Sequence, residues 1–134
     1  MMRRRNGRAV HDRGAAALEF ALVLPILLIL VLGIVEFGRV FNVQISVTNA
    51  AREGARVMAI RNSPADARAA AIAAAPAVNP AISAGNITVA PTDCDGGGTV
   101  TVTIRYHVNL VSGMFDSILP PIDLKGTGVM LCRG

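Results

Sequence analysis

The chain is poor in the side chains on which catalysis usually draws. Its 134 residues include two histidines, His11 and His107, and two cysteines, Cys94 and Cys132. No serine sits in a nucleophile elbow, and no phosphate-binding loop is present. Two thiols without a histidine near either in sequence do not make a zinc site, and Asp93 and Asp95 beside three glycines lack the fuller ligand set of a calcium loop. No metal or cofactor is therefore expected. Glu19 and Glu36 fall about 25 Å apart on one helix, too far to act as an acid–base pair. Aromatic residues make up 4% of the chain, and no basic or aromatic surface follows the N-terminal arginines, which argues against a nucleic-acid partner. These scarcities speak against an enzyme and against a small-molecule substrate.

What the chain has in abundance is apolar length. Residues Gly14 to Val35 read GAAALEFALVLPILLILVLGIV. As helix, Ala15 to Val35 spans about 31 Å, close to the hydrocarbon thickness of a bilayer. The run Ile26-Leu27-Leu28-Ile29-Leu30-Val31-Leu32 has no polar face, so burial against a soluble core is the poorer explanation. Ahead of it lie Arg3, Arg4, Arg5, Arg8 and Arg13, with Asp12 the one acid. This head carries the whole formal charge of +4, and everything after it sums to zero. That asymmetry keeps the head cytoplasmic and sends the remainder across the membrane. The flank after the run, Gly33 to Arg39, has no small-x-small cleavage site, so the segment is expected to remain. Pro25 removes one backbone hydrogen bond and is expected to kink or soften this helix.

The helical pattern continues beyond the membrane. Phe37, Phe41, Gln44, Thr48, Ala51, Ala55 and Met58 follow a three-and-four spacing, and no proline occurs from Glu36 to Arg61, so one helix is predicted over Ala15–Arg61. Ala50-x-x-x-Gly54 and Ala51-x-x-x-Ala55 place small residues where another backbone can come close, either the protein's own sheet or a neighbouring helix. Glu36 and Arg39, three apart, are expected to pair along the helix, and Arg52, Glu53 and Arg56 to form a salt-bridged surface. Asn62-Ser63-Pro64 ends the helix, with Ser63 as N-cap of a second, alanine-rich helix over Pro64–Ala75. Strands are predicted at Asn86–Ala90, Thr99–Leu110 and Asp123–Leu131. In the middle one Val100, Val102, Ile104, Tyr106 and Val108 alternate with threonines, Arg105 and His107, the pattern of a sheet with one buried and one wet face. The fold class is thus α+β: a long N-terminal transmembrane helix that continues outside, a short helix and a small antiparallel sheet. Cys94 and Cys132 fall on the oxidising side and are expected to form a disulfide. The division is a basic leader over 1–14, a transmembrane helix over 15–36 and an extracytoplasmic domain over 37–134.

The acid within the apolar run raises a further question. An ionised side chain at mid-membrane costs roughly 2.5–3.5 kcal/mol on insertion scales, and less near an end. Cutting after Gly14 would place the new amine of Ala15 one helical turn from Glu19, and the amine of one subunit could then neutralise the Glu19 of the next. Arg13-Gly14-Ala15-Ala16-Ala17-Leu18-Glu19-Phe20 followed by Ala21-Leu22-Val23-Leu24-Pro25 closely resembles the start of the TadE/TadF pseudopilins of tight-adherence (Flp) pilus systems. Gly33 to Arg39 and Asn49 to Arg56 also resemble TadE-type sequences, so the likeness covers about Arg13 to Arg56. The resemblance implies cleavage between Gly14 and Ala15 by a prepilin peptidase and a role for Glu19 in subunit registration; helix packing that involves Pro25, Ala51, Gly54 and Ala55 is expected from the residues themselves. It also implies a single-pass protein of a bacterial cytoplasmic membrane, with its C-terminal domain periplasmic. Its expected partners are the lipid bilayer, other pilins or pseudopilins and the Tad assembly platform. The alternative is a membrane-anchored binding module unrelated to pili, in which the helix is only a tether.

Overall fold

A computed structural model describes residues 9–110 and 120–132, with side chains from residue 14 onward. The N-terminal arginines Arg3, Arg4, Arg5 and Arg8 lie outside the described residues. The first helix, α1, runs Ala9–Arg61 and continues through Pro25. It begins earlier than the predicted Ala15, because nothing between Ala9 and Gly14 breaks a helix. Contacts divide the chain into two units, one ending at Phe37 and the other beginning at Gly38.

In the first unit every residue from Gly14 to Val35 is exposed. Among the described residues α1 is the one helix long and apolar enough to cross a membrane, with a mean hydropathy of 2.9 in its most apolar window.

In the second unit the C-terminal part of α1 is covered by a sheet. Asn62 turns the chain with a left-handed φ of 50°. The Asp66 backbone N–H then donates to Ser63 Oγ at 3.3 Å, capping helix α2, Pro64–Ala73. The helix ends short of the predicted Ala75. Its last turn tightens, with the Ala75 N–H donating to the Ile72 carbonyl at 3.3 Å, just before Pro76, which disfavours helix at the residue ahead of it. A 3-10 turn over Ala84–Asn86 leads into β1, Ile87–Ala90, followed by β2, Thr99–Val108, and β3, Ile122–Leu131. The sheet order is β1-β2-β3, antiparallel throughout, with Val89 opposite Val102 and Thr103 opposite Thr127. β2 stops at Val108 rather than Leu110, because its register with β3 would bring Asn109 and Leu110 opposite Pro121 and Pro120, which have no N–H to donate; the Asn109 carbonyl accepts from the Arg39 guanidinium of α1 instead. That carbonyl is thereby taken by the helix.

The alternation read in β2 holds. Val100, Val102, Ile104, Tyr106 and Val108 are buried against Val47, Ala51, Ala55 and Met58 of α1 and Ala67 and Ala71 of α2 in one apolar core. Phe37 and Phe41 do not join that face, although their spacing links them to it; they are exposed, and Val40 and Val43 pack against the core instead.

Candidate functional site

Two surfaces are candidates, and each is built from different side chains. The first is the apolar run itself. Gly14 and Ala15 lie exposed on α1, and a side chain added at Gly14 would meet nothing within 4 Å. Glu19, four residues beyond Ala15, is one turn further along the same side of the helix and is also exposed. Pro25 lies within the same bare stretch.

The second surface belongs to the folded unit. There Ala51, Gly54 and Ala55 are buried on the sheet side of α1. A Cβ at Gly54 would stand 3.1 Å from the Ala67 carbonyl oxygen, 3.2 Å from Ala71 Cβ and 3.3 Å from Val102 Cγ1. The small residues of the helix therefore meet this chain's own α2 and sheet. Their counterparts on β3 are Gly126 and Gly128, which the sequence reading did not single out. A Cβ at Gly126 would lie 2.6 Å from the Val47 carbonyl oxygen, and one at Gly128 only 2.3 Å from that of Ala51. Strand and helix backbones touch there because neither glycine has a side chain to hold them apart. The available signal was two glycines at alternate positions of a strand, on the face that buries Leu124. Gln44 fastens the same contact, its Nε2 donating to the Lys125 carbonyl at 2.9 Å.

The far end of the unit is tied by a cluster centred on Asn62. Its Nδ2 donates to Asp93 Oδ1 at 3.1 Å and to Asp95 Oδ1 at 2.6 Å, while its Oδ1 accepts the Cys94 N–H at 2.7 Å. Cys94 is bonded to Cys132 with an S–S distance of 2.05 Å, and the Cys132 N–H donates to the Gly98 carbonyl at 2.9 Å. The Asp95 N–H, followed by the Asn62 amide, holds the Asp93 carboxyl below the usual carboxylate range. Asn62 as the organiser of this end was missed, since its partners lie some thirty residues away in sequence. Among the described residues no three His, Cys, Asp or Glu side chains gather as a metal site.

Beside this cluster an open groove of about 800 Å³ runs between α1 and the β3 edge, lined by Ile60, Ala59, Val129, Met130 and Leu131, with Arg56 at its margin. Arg56 is held by Glu53, donating from Nε at 2.9 Å and from Nη2 at 2.6 Å, and this hydrogen-bonded cation lowers the Glu53 carboxyl below its ordinary value. On the outer face of the sheet His107 pairs with Asp123 across the strands. Tyr106 donates its hydroxyl to the Pro80 carbonyl at 2.7 Å, and burial raises its phenol above the usual range.

Residues 14–56 match the family described as TadE-like protein. It covers the apolar run, Glu19 and the small residues of α1, and it stops before α2 and the sheet. No curated protein and no solved structure matches the chain.

Proposed function

We propose that this protein is a minor pseudopilin or assembly protein of a Tad/Flp-type pilus. It is non-catalytic and acts through packing of its N-terminal helix in the membrane or in the filament. A prepilin peptidase cuts between Gly14 and Ala15, and the freed amine of one subunit pairs with Glu19 of the next. The folded unit stays on the periplasmic side, and the partners are other pilins and the assembly platform.

One coincidence supports this reading above the rest: the TadE-like match spans a helix whose residues from Gly14 to Val35 are all exposed, with one acid, Glu19, in that stretch. A bare helix of this composition calls for lipid or other helices around it, and the acid calls for a cation. Glu19→Gln tests it. With the charge gone, recovery of the protein with its native pilus complex should fall at least about tenfold, the loss that goes with about 1.4 kcal/mol. N-terminal sequencing of protein from its native membrane should give Ala15 as the first residue. A complex left unchanged by Glu19→Gln would favour the anchored binding module, a reading that the open apolar groove beside Ile60 and Leu131 also suits. In that case Leu131→Asp, and not the change at Glu19, would release a partner.

A further inference from the structure

The exposed side of α1 within the folded unit changes character abruptly. Phe41 and Ile45, four residues apart, are 60% and 46% exposed and occupy one face of the helix. The next residues on that face are Asn49, Arg52 and Arg56, all exposed and all polar. Going the other way from Phe41 in steps of three and four, the face runs through Gly38, Ile34 and Leu30 to the membrane-spanning run, with the exposed Asn42 at its flank. Arg39 does not interrupt it. Two residues before Phe41, it lies about 200° around the helix, and its guanidinium is turned to the Asn109 carbonyl on the sheet side. One side of α1 thus meets a cation at Arg39, while the opposite side stays apolar as far as Ile45. A boundary between oil and water that crosses the helix obliquely produces this pattern.

We propose that Phe41 and Ile45 lie in the outer leaflet of the bilayer, so that lipid covers this face of α1 beyond the membrane-spanning run. The occupant of the stripe is lipid because the stripe is the unbroken continuation of the apolar run. The water line on that side falls between Ile45 and Asn49. This inference rests on the reading that the run before it crosses a membrane.

The chain contains no tryptophan, so single tryptophans report depth without interference. The full chain is reconstituted in phosphatidylcholine–phosphatidylglycerol vesicles with and without acyl-brominated phosphatidylcholine, as Leu28→Trp, Phe41→Trp, Ile45→Trp and Ile60→Trp. Ile60 is 63% exposed but lies beyond the polar turn, and so marks water. Phe41→Trp and Ile45→Trp should be quenched by brominated lipid at least about half as strongly as Leu28→Trp, and Ile60→Trp about tenfold less. Iodide should show the reverse order. Quenching of both Phe41→Trp and Ile45→Trp no stronger than that of Ile60→Trp would overturn the inference. So would tryptophans shielded from iodide yet untouched by brominated lipid, since protein would then cover the stripe. An unquenched Leu28→Trp would overturn the membrane-spanning reading itself, a failure separate from the first two.

Discussion

Between Gly14 and Val35, α1 carries leucine, isoleucine and valine at most positions, and every one of its residues is exposed; between Val47 and Ala59 it carries Ala50, Ala51, Gly54 and Ala55, all buried. The backbone is the same helix in both places. What differs is how near another backbone can come. Branched side chains hold neighbours at arm's length and suit lipid, whereas alanine and glycine leave room for a strand to lie directly on the helix. β3 answers in kind with Gly126 and Gly128, so the contact is made by absences on both partners. Side-chain size, more than helix propensity, decides what covers each half.

That contrast can be broken from the folded side. Replacing both Cys94 and Cys132 by serine frees a loop of 38 residues' separation, and should cost about 4 kcal/mol on the loop-entropy model. Denaturant unfolding in detergent should show the loss, while helix content from residues 14–35 survives it. Gly128→Ala should cost about 3 kcal/mol, the upper end for overpacking, because the new methyl would meet the Ala51 backbone at 2.3–2.4 Å. Gly33→Ala sharpens the comparison: nothing lies within 4 Å of its added carbon, and thermal unfolding of the second unit should not move. Ser63→Ala removes the cap of α2 and should lower stability by about 1 kcal/mol in the same assay. A smaller loss than that of the cap comes from acid. Asp93 and Glu53 are both held below their ordinary values in the folded chain. The stability they contribute is therefore present above the unfolded carboxylate range and is lost as pH falls through the lowered values. The melting temperature should decline as the pH falls below the ordinary carboxylate range, and less steeply in Asp93→Asn.

Much of this was legible from residue order. The apolar run needed only length and composition, β2 only its strict alternation, and the end of α1 only Asn62-Ser63-Pro64. The boundaries that slipped had causes both near and far: α1 starts early and α2 ends early for reasons in their own sequence, while β2 ends early because of what faces it. β2 loses Asn109 and Leu110 because Pro121 and Pro120 would face them on β3, and the Asn109 carbonyl turns to Arg39, seventy residues away. Phe37 and Phe41 obey the periodicity of the core stripe yet lie outside it, because spacing alone does not say where a three-stranded sheet ends. Gly126 and Gly128 gain their meaning only when a helix backbone is placed against them. Asn62 marked a stop; its second task, holding the Asp93–Asp95 turn, exists only in three dimensions.

The Cys94–Cys132 bond also governs how the molecule would respond to a protease. A single cut anywhere in the segment it encloses would open the chain without dividing it, since both fragments would stay on one covalent body. Such a nick would be invisible on a non-reducing gel and would resolve into two bands once a thiol is added.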